Sequence, residues 1–226
     1  MTVAISTMTP ELRLELANIP TPILNAALFR VIRAFFWESE AWKYTYDNGL
    51  DWTLNQLAVE SPVAGTDIPA KCIVKRVDTI MYDAGGDEWD AEVPFMTRDQ
   101  LDRQMPSWNT DTGSSPTAWT HGNDGAALIV PQVAATVDTA LLIRSVIVPI
   151  FTVVTDTLPD FLYYENEETM KAGVLAQLMK QPGKDWSDPQ GAQFYAQMFG
   201  LGVNKAKSRA QADYGQPKDS MAYGGL

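Results

Sequence analysis

The sequence predicts an α+β protein: an antiparallel helical bundle built from both chain ends, with a mainly antiparallel β domain inserted between them. Three observations carry that prediction. Apolar residues recur at helical spacing before residue 43 and again after Pro159, they alternate at period two in between, and the Gly, Asp and Asn clusters that end strands fall in the middle. The boundaries that follow are 1–42 for the N-terminal helices, 43–155 for the β domain, 156–213 for a C-terminal helical hairpin and 214–226 for a flexible C-terminal arm.

In chain order, Thr9-Pro10-Glu11 supplies a capping hydroxyl, a proline where its missing N–H costs nothing and an acid at the positive helix end, so a short helix to about Ala17 is expected. After Pro20-Thr21-Pro22, residues Leu24, Ala27, Leu28, Val31, Phe35 and Trp42 recur near helical spacing, and Ile32 and Phe36 widen the stripe. Such a helix needs cover on two sides, from its own chain or from a neighbouring subunit. Trp42, Tyr44 and Tyr46 then share one strand face, and the turn Asp47-Asn48-Gly49 leads to Trp52 and Leu54, which reads as a hairpin.

Further strands are expected at Ala70 to Tyr82, Glu88 to Val93, Ala126 to Val130 and Ala140 to Phe151. Thr97-Arg98-Asp99-Gln100 is a capping box that opens a short helix ended by Pro106. Residues Ser107 to Asn123, rich in Gly, Ser, Thr and Asn, read as an exposed loop anchored by Trp108 and Trp119. Beyond Pro159, Phe161, Leu162, Val174, Leu175, Leu178 and Met179 belong to one helix. Ser187-Asp188-Pro189-Gln190 opens another, carrying Tyr195, Met198, Phe199 and Val203, with Lys205, Lys207 and Arg209 near its negative end. Gly200 and Gly202 weaken this last helix by about 1 kcal/mol each relative to alanine.

Charge and composition restrict the function. Lys and Arg number 17 against 28 Asp and Glu, a formal charge of −11, which is the wrong sign for gripping nucleic-acid phosphates. One cysteine, Cys72, excludes an internal disulfide, and one histidine, His121, excludes a His cluster, so structural zinc is not expected. Arg30 and Arg33 interrupt the longest apolar run, and no basic segment precedes the weakly apolar N-terminus. Neither a membrane span nor a secretory signal is expected, and the chain reads as one made and folded inside a cell.

Chemistry-bearing motifs are sparse. Gly183-Lys184-Asp185 lacks the rest of a phosphate loop, and Gly200-Leu201-Gly202 has Lys205 where a dinucleotide fingerprint needs glycine. Asp83, Asp87, Glu88, Asp90 and Glu92 cluster, but without EF-hand spacing. A solvated acidic face is the ordinary reading and calcium binding the alternative. His121 with these carboxylates would make a hydrolase, and Trp108 with Trp119 a carbohydrate-binding sheet module. Lys205, Lys207 and Arg209 are explained by the helix C-terminus, with a phosphate contact as the other option. The abundance of Trp beyond core needs favours a protein partner.

Several segments together resemble the head-to-tail adaptor family, the connector or tail tubular proteins, of short-tailed bacteriophages. They are Pro22-Ile23-Leu24-Asn25-Ala26-Ala27-Leu28 through Phe36, Ser39 and Trp42; Asn123-Asp124-Gly125 with Ala127-Leu128-Ile129-Val130-Pro131; Leu141-Leu142-Ile143-Arg144 and Pro149; and Gly173-Val174-Leu175-Ala176-Gln177-Leu178-Met179, Pro182-Gly183-Lys184, Trp186-Ser187-Asp188-Pro189 and Phe199. The similarity runs in order over residues 10 to 213. It implies a structural virion protein without enzymatic activity or cofactor, in a twelvefold ring at the neck between portal and tail nozzle, assembled in the host cytoplasm. Tail fibres are a further possible neighbour, and DNA would pass through the ring without specific binding.

On that resemblance the interface candidates are Leu28, Val31, Ile32, Phe35, Phe36 and Trp37 on the second helix and Phe199, Val203, Lys205, Lys207 and Arg209 on the last. Tyr214, Tyr223 and Leu226 are candidates on the arm. Asp87, Glu88, Asp90 and Glu92 are candidates for an acidic channel lining, where like charge keeps DNA from adhering.

Overall fold

The computed structural model describes residues 1–48, 64–66, 68–83, 91–113, 115–122, 127–133 and 140–212 and mixes helix with sheet. The elements are β1 (Thr2–Ala4), α1 (Thr9–Glu15), α2 (Thr21–Ser39), β2 (Lys43–Asn48), β3 (Cys72–Asp83), β4 (Ala91–Val93), α3 (Arg98–Gln104), β5 (Thr112–Gly113), β6 (Ala118–His121), β7 (Ala127–Val130), β8 (Gln132–Val133), β9 (Ala140–Pro149), β10 (Thr157–Pro159), α4 (Asp160–Met179) and α5 (Pro189–Gln211). They divide into two compact units, Met1–Trp42 with Val148–Leu226, and Lys43–Ile147.

In the first unit, α4 and α5 run antiparallel, as their partners show. Arg209 pairs with Glu165 at 2.7 Å, Gly202 lies against Thr169, and Phe199 lies over Gly173. α2 runs antiparallel to α4 on one face of this pair, with Val31 beside Gly173 and Ala26 and Ala27 sharing a concavity with Gln177. Burial of Leu24, Leu28, Ile32, Phe35 and Phe36 on α2 and of Leu162, Tyr163, Met170, Val174 and Leu178 on α4 makes the core. β1 pairs antiparallel with β10, Val3 opposite Leu158, and so ties the start of the chain to the start of α4.

The second unit holds a four-stranded sheet in the order β2-β9-β3-β4, with β2 antiparallel to β9 (Tyr46 opposite Ile143) and β3 antiparallel to β4 (Ile80 opposite Val93). Leu141, Ile143 and Ile147, which share one face of β9, are wholly buried, and so are Val146 and Val148 on the other face. β6 and β7 form a separate antiparallel pair, and β5 and β8 a short parallel one.

Four sequence expectations change. α1 starts at Thr9 itself after a 3-10 turn over Ile5–Met8, so the Thr9 hydroxyl does not cap it. α5 is capped by Asp188 rather than by Ser187: the Asp188 carboxylate accepts from the Gln190 and Gly191 N–H groups. α5 is one unbroken helix of 23 residues despite Gly200 and Gly202. The expected loop Ser107 to Asn123 contains β6, in which Trp119 is only 2% exposed. The Thr97 capping box of α3 forms with both reciprocal bonds in place. Trp52 and Leu54 of the expected hairpin lie outside the described residues.

Candidate functional site

Four of the interface candidates on α2, Leu28, Ile32, Phe35 and Phe36, are wholly buried, and Val31 is nearly so. The second apolar side of α2 is covered by α4 and α5 of the same chain, because Phe199 and Val31 close on the bare backbone of Gly173. These residues are core and offer no surface to a copy. Trp37, 46% exposed, is the member of the set that reaches solvent.

On α5 the candidates divide. Val203 is buried and Phe199 half-buried, facing inward over Gly173, while Lys205 and Lys207 are exposed and Arg209 is spent on Glu165. The outward face carries Phe194, Met198 and Leu201, all large, apolar and exposed. Sequence reasoning missed Phe194 and Leu201. The signal was present in the spacing 194, 198, 201, 205, the four-three alternation of a helix seam.

Met198, Leu201 and Lys205 of this seam, with Tyr195 and Gly202, form one wall of a groove of about 520 Å³ between α1, α4 and α5, and Phe194 is exposed one turn before Met198. Its floor is Leu12, Ala172 and Leu175; its other wall is Leu14 of α1, itself exposed. Glu11, Glu15 and Glu168 stand around it, with Lys205 on the α5 side. Lys171 holds α1 against α4: its buried ammonium binds Glu11, Glu167 at 2.9 Å and Glu168 at 3.2 Å. Burial alone would lower the Lys171 pKa, but the three carboxylates outweigh it and raise the group above the ordinary lysine range. Tyr163, which donates to Glu167 at 3.0 Å, is pushed up by burial first and by that carboxylate second.

The residues weighed for a hydrolase or a carbohydrate-binding module belong to the second unit. His121 packs against Phe95 and Trp119, 5.2 Å from each of two rings that lie 4.9 Å apart, and burial followed by the charge of Arg76 lowers its pKa, favouring a neutral imidazole. Glu92 is exposed on β4, while Asp87, Glu88 and Asp90 lie outside the described residues. Among the described residues, no three His, Cys, Asp or Glu side chains gather as metal ligands. Trp119 is buried and Trp108 donates its Nε1 proton to Asp102 at 2.7 Å while packing on Leu101, Ala118 and Val130. The pair of free indole faces expected of a sugar platform is not formed. Tyr214, Tyr223 and Leu226 also lie outside the described residues.

Among the described residues, no helix is long and apolar enough to cross a membrane. In comparison with known proteins, the chain matches no family model and no curated sequence.

Proposed function

We propose that this chain is a structural virion protein of a short-tailed phage, a head-to-tail adaptor that forms a ring between portal and tail nozzle and continues the DNA channel. In this reading α2, α4 and α5 are an antiparallel bundle built from both chain ends. The chain acts without catalysis or cofactor. DNA passes unbound because the net charge of −11 repels phosphate. The protein works at the virion neck after assembly in the host cytoplasm.

Support comes first from the segments that resemble the adaptor family and second from one structural observation. The helical unit buries a large apolar set, yet leaves Leu14, Met198 and Leu201 uncovered in the lining of a groove, with Phe194 exposed one turn further along α5. Large apolar side chains clustered beside a cleft mark a protein contact rather than a reaction centre.

The test is localisation together with reconstitution. Antibody labelling of virions should place the chain at the neck, and mixing it with purified portal should give a ring visible by electron microscopy. Labelling at the capsid shell or the distal tail, or a portal that recruits no copies, overturns the proposal.

A further inference from the structure

We infer that the groove between α1, α4 and α5 receives the outer ridge of α2 from a second copy of this chain, in a head-to-tail contact. This deepens the ring reading, and rests on it for closure of the ring.

The ridge is read directly from exposure. Pro22, Ala26, Arg30, Arg33 and Trp37 are all exposed, and their spacing of four, four, three and four places them along one face of α2, where Pro22, Ala26 and Arg30 also border the concavity shared with Gln177 of α4 and with Gln181. The face is narrow, carries two cations and ends in one large aromatic ring. Neither Arg30 nor Arg33 has an ion-pair partner among the described residues.

The groove is its chemical complement. Its walls are apolar, and its lining carries three acids, Glu11, Glu15 and Glu168, against two cations, Lys171 and Lys205, a net charge of −1. Lys171 is shared among Glu11, Glu168 and the neighbouring Glu167, and with Glu167 the cluster is four acids against two cations, a net of −2. A ridge with two guanidinium groups and an indole therefore suits it better than an acidic or wholly apolar partner would.

Placement decides the symmetry. α2 packs on one face of the α4/α5 pair, and the groove opens on the other face of that pair, beside α1. Ridge and groove are thus different surfaces of one helical unit. Because they lie on opposite faces of the α4/α5 pair, two copies cannot make both contacts at once about a twofold axis; the contact repeats from copy to copy and either closes into a ring or continues as a filament.

Size is adequate. Taking ~200 Å² for a whole large side chain, Leu14, Met198 and Leu201 leave about 400 Å² uncovered in the groove, and Phe194 further along α5 adds about 100 Å². Together that is more than half of the roughly 800 Å² per partner of a standard interface, before Trp37 and the charged stems of the ridge are added.

The experiment is a charge-reversal exchange read by sedimentation of the full-length chain from micromolar to near-millimolar concentration. Wild type should self-associate. Arg30→Glu with Arg33→Glu places acid against acid, and Glu15→Arg with Glu168→Arg places base against base, so each double variant alone should associate at least roughly tenfold more weakly. An equimolar mixture of the two should recover association, because each altered surface then meets its complement and the remaining contacts are wild-type. Leu201→Gln, at a site 68% exposed and so without consequence for folding, should also weaken association.

A wild-type chain that stays monomeric, reversals without effect, or a mixture that fails to recover each overturns the inference. So would hydrogen exchange that shows the groove protected by residues 213–226 and exposed when the chain is cut after Ala212. A chain that is monomeric alone but found at the virion neck would remove this contact and leave the adaptor reading standing.

Discussion

Phe199 of α5 lies so close over Gly173 of α4 that a Cβ atom at Gly173 would come within 2.6 Å of the Phe199 ring. Val31 of α2 would stand at the same distance, so three helices meet where one of them has no side chain. Gly202 repeats the device against Thr169, whereas nothing lies within 4 Å of a Cβ at Gly200.

The three glycines should therefore respond differently to alanine. Gly173→Ala overpacks the junction and should lower stability by about 1–3 kcal/mol. Gly202→Ala should also destabilise, because Thr169 is branched at Cβ and has little freedom to withdraw. Gly200→Ala adds helix propensity without a clash and should stabilise by up to about 1 kcal/mol. Urea unfolding followed by helical circular dichroism measures all three; a stabilising Gly173→Ala would show that α2 and α5 do not close on α4 as described.

These glycines also show how far the sequence could be read. The propensity cost of Gly200 and Gly202 was visible, but the compensation at Gly202 depends on Thr169, 33 positions away. The two-sided apolar pattern of α2 was legible, and so was its need for cover. What covers it was not, because the second side is filled by α4 and α5, more than 120 residues further along. Conversely, α5 has apolar residues at 194, 195, 198, 199, 201 and 203, and periodicity alone does not separate Phe199 and Val203, which face in, from Phe194 and Leu201, which face out. β6 was hidden by its composition. Trp119 sits among Ser, Thr and Gly residues that resemble a loop, and its strand character comes from pairing with β7. The capping box at Thr97 needed only four residues and was read correctly.

The cap of α5 offers a second test. The Asp188 carboxylate accepts from two backbone N–H groups, at 3.1 Å from Gln190 and 3.0 Å from Gly191. Asp188→Ala should cost about 1 kcal/mol, and Asp188→Asn less, since the amide oxygen still accepts. Ser187→Ala should be close to neutral, which would distinguish the observed cap from the neighbouring hydroxyl in the same unfolding assay.

Lys171 and Tyr163 predict how the helical unit fails in alkali. Both have a folded pKa above the unfolded one, Lys171 because three carboxylates surround it and Tyr163 because it is buried. The folded state therefore holds protons that the unfolded state releases, so the stabilisation is complete below the unfolded values near 10 and declines as pH rises above them. Thermal scans should give a melting point insensitive to these groups between pH 6 and 9 and falling beyond about pH 10. Lys171→Met should lower stability at pH 7 by about 1–3 kcal/mol, less than a fully buried pair would cost because Glu11 and Glu168 are largely exposed. It should also flatten the alkaline decline, as should Tyr163→Phe.

Cys72 provides a probe of the other unit. It is 3% exposed at the start of β3, and burial pushes its thiol up to about 12. Since the thiolate is the reactive form, the folded chain at pH 8 should react with a disulfide reagent on the order of 10³-fold more slowly than the unfolded chain, from the thiolate fraction alone. Labelling should therefore require β3 to open. Pulsed labelling along a urea series, read by mass spectrometry, should follow loss of the sheet in Lys43–Ile147, while circular dichroism near 222 nm follows chiefly the long helices of the first unit. If the two transitions separate, the units unfold independently and Gly173→Ala should move the helical transition alone. Labelling of the native chain at the unfolded rate would show that β3 does not shield Cys72.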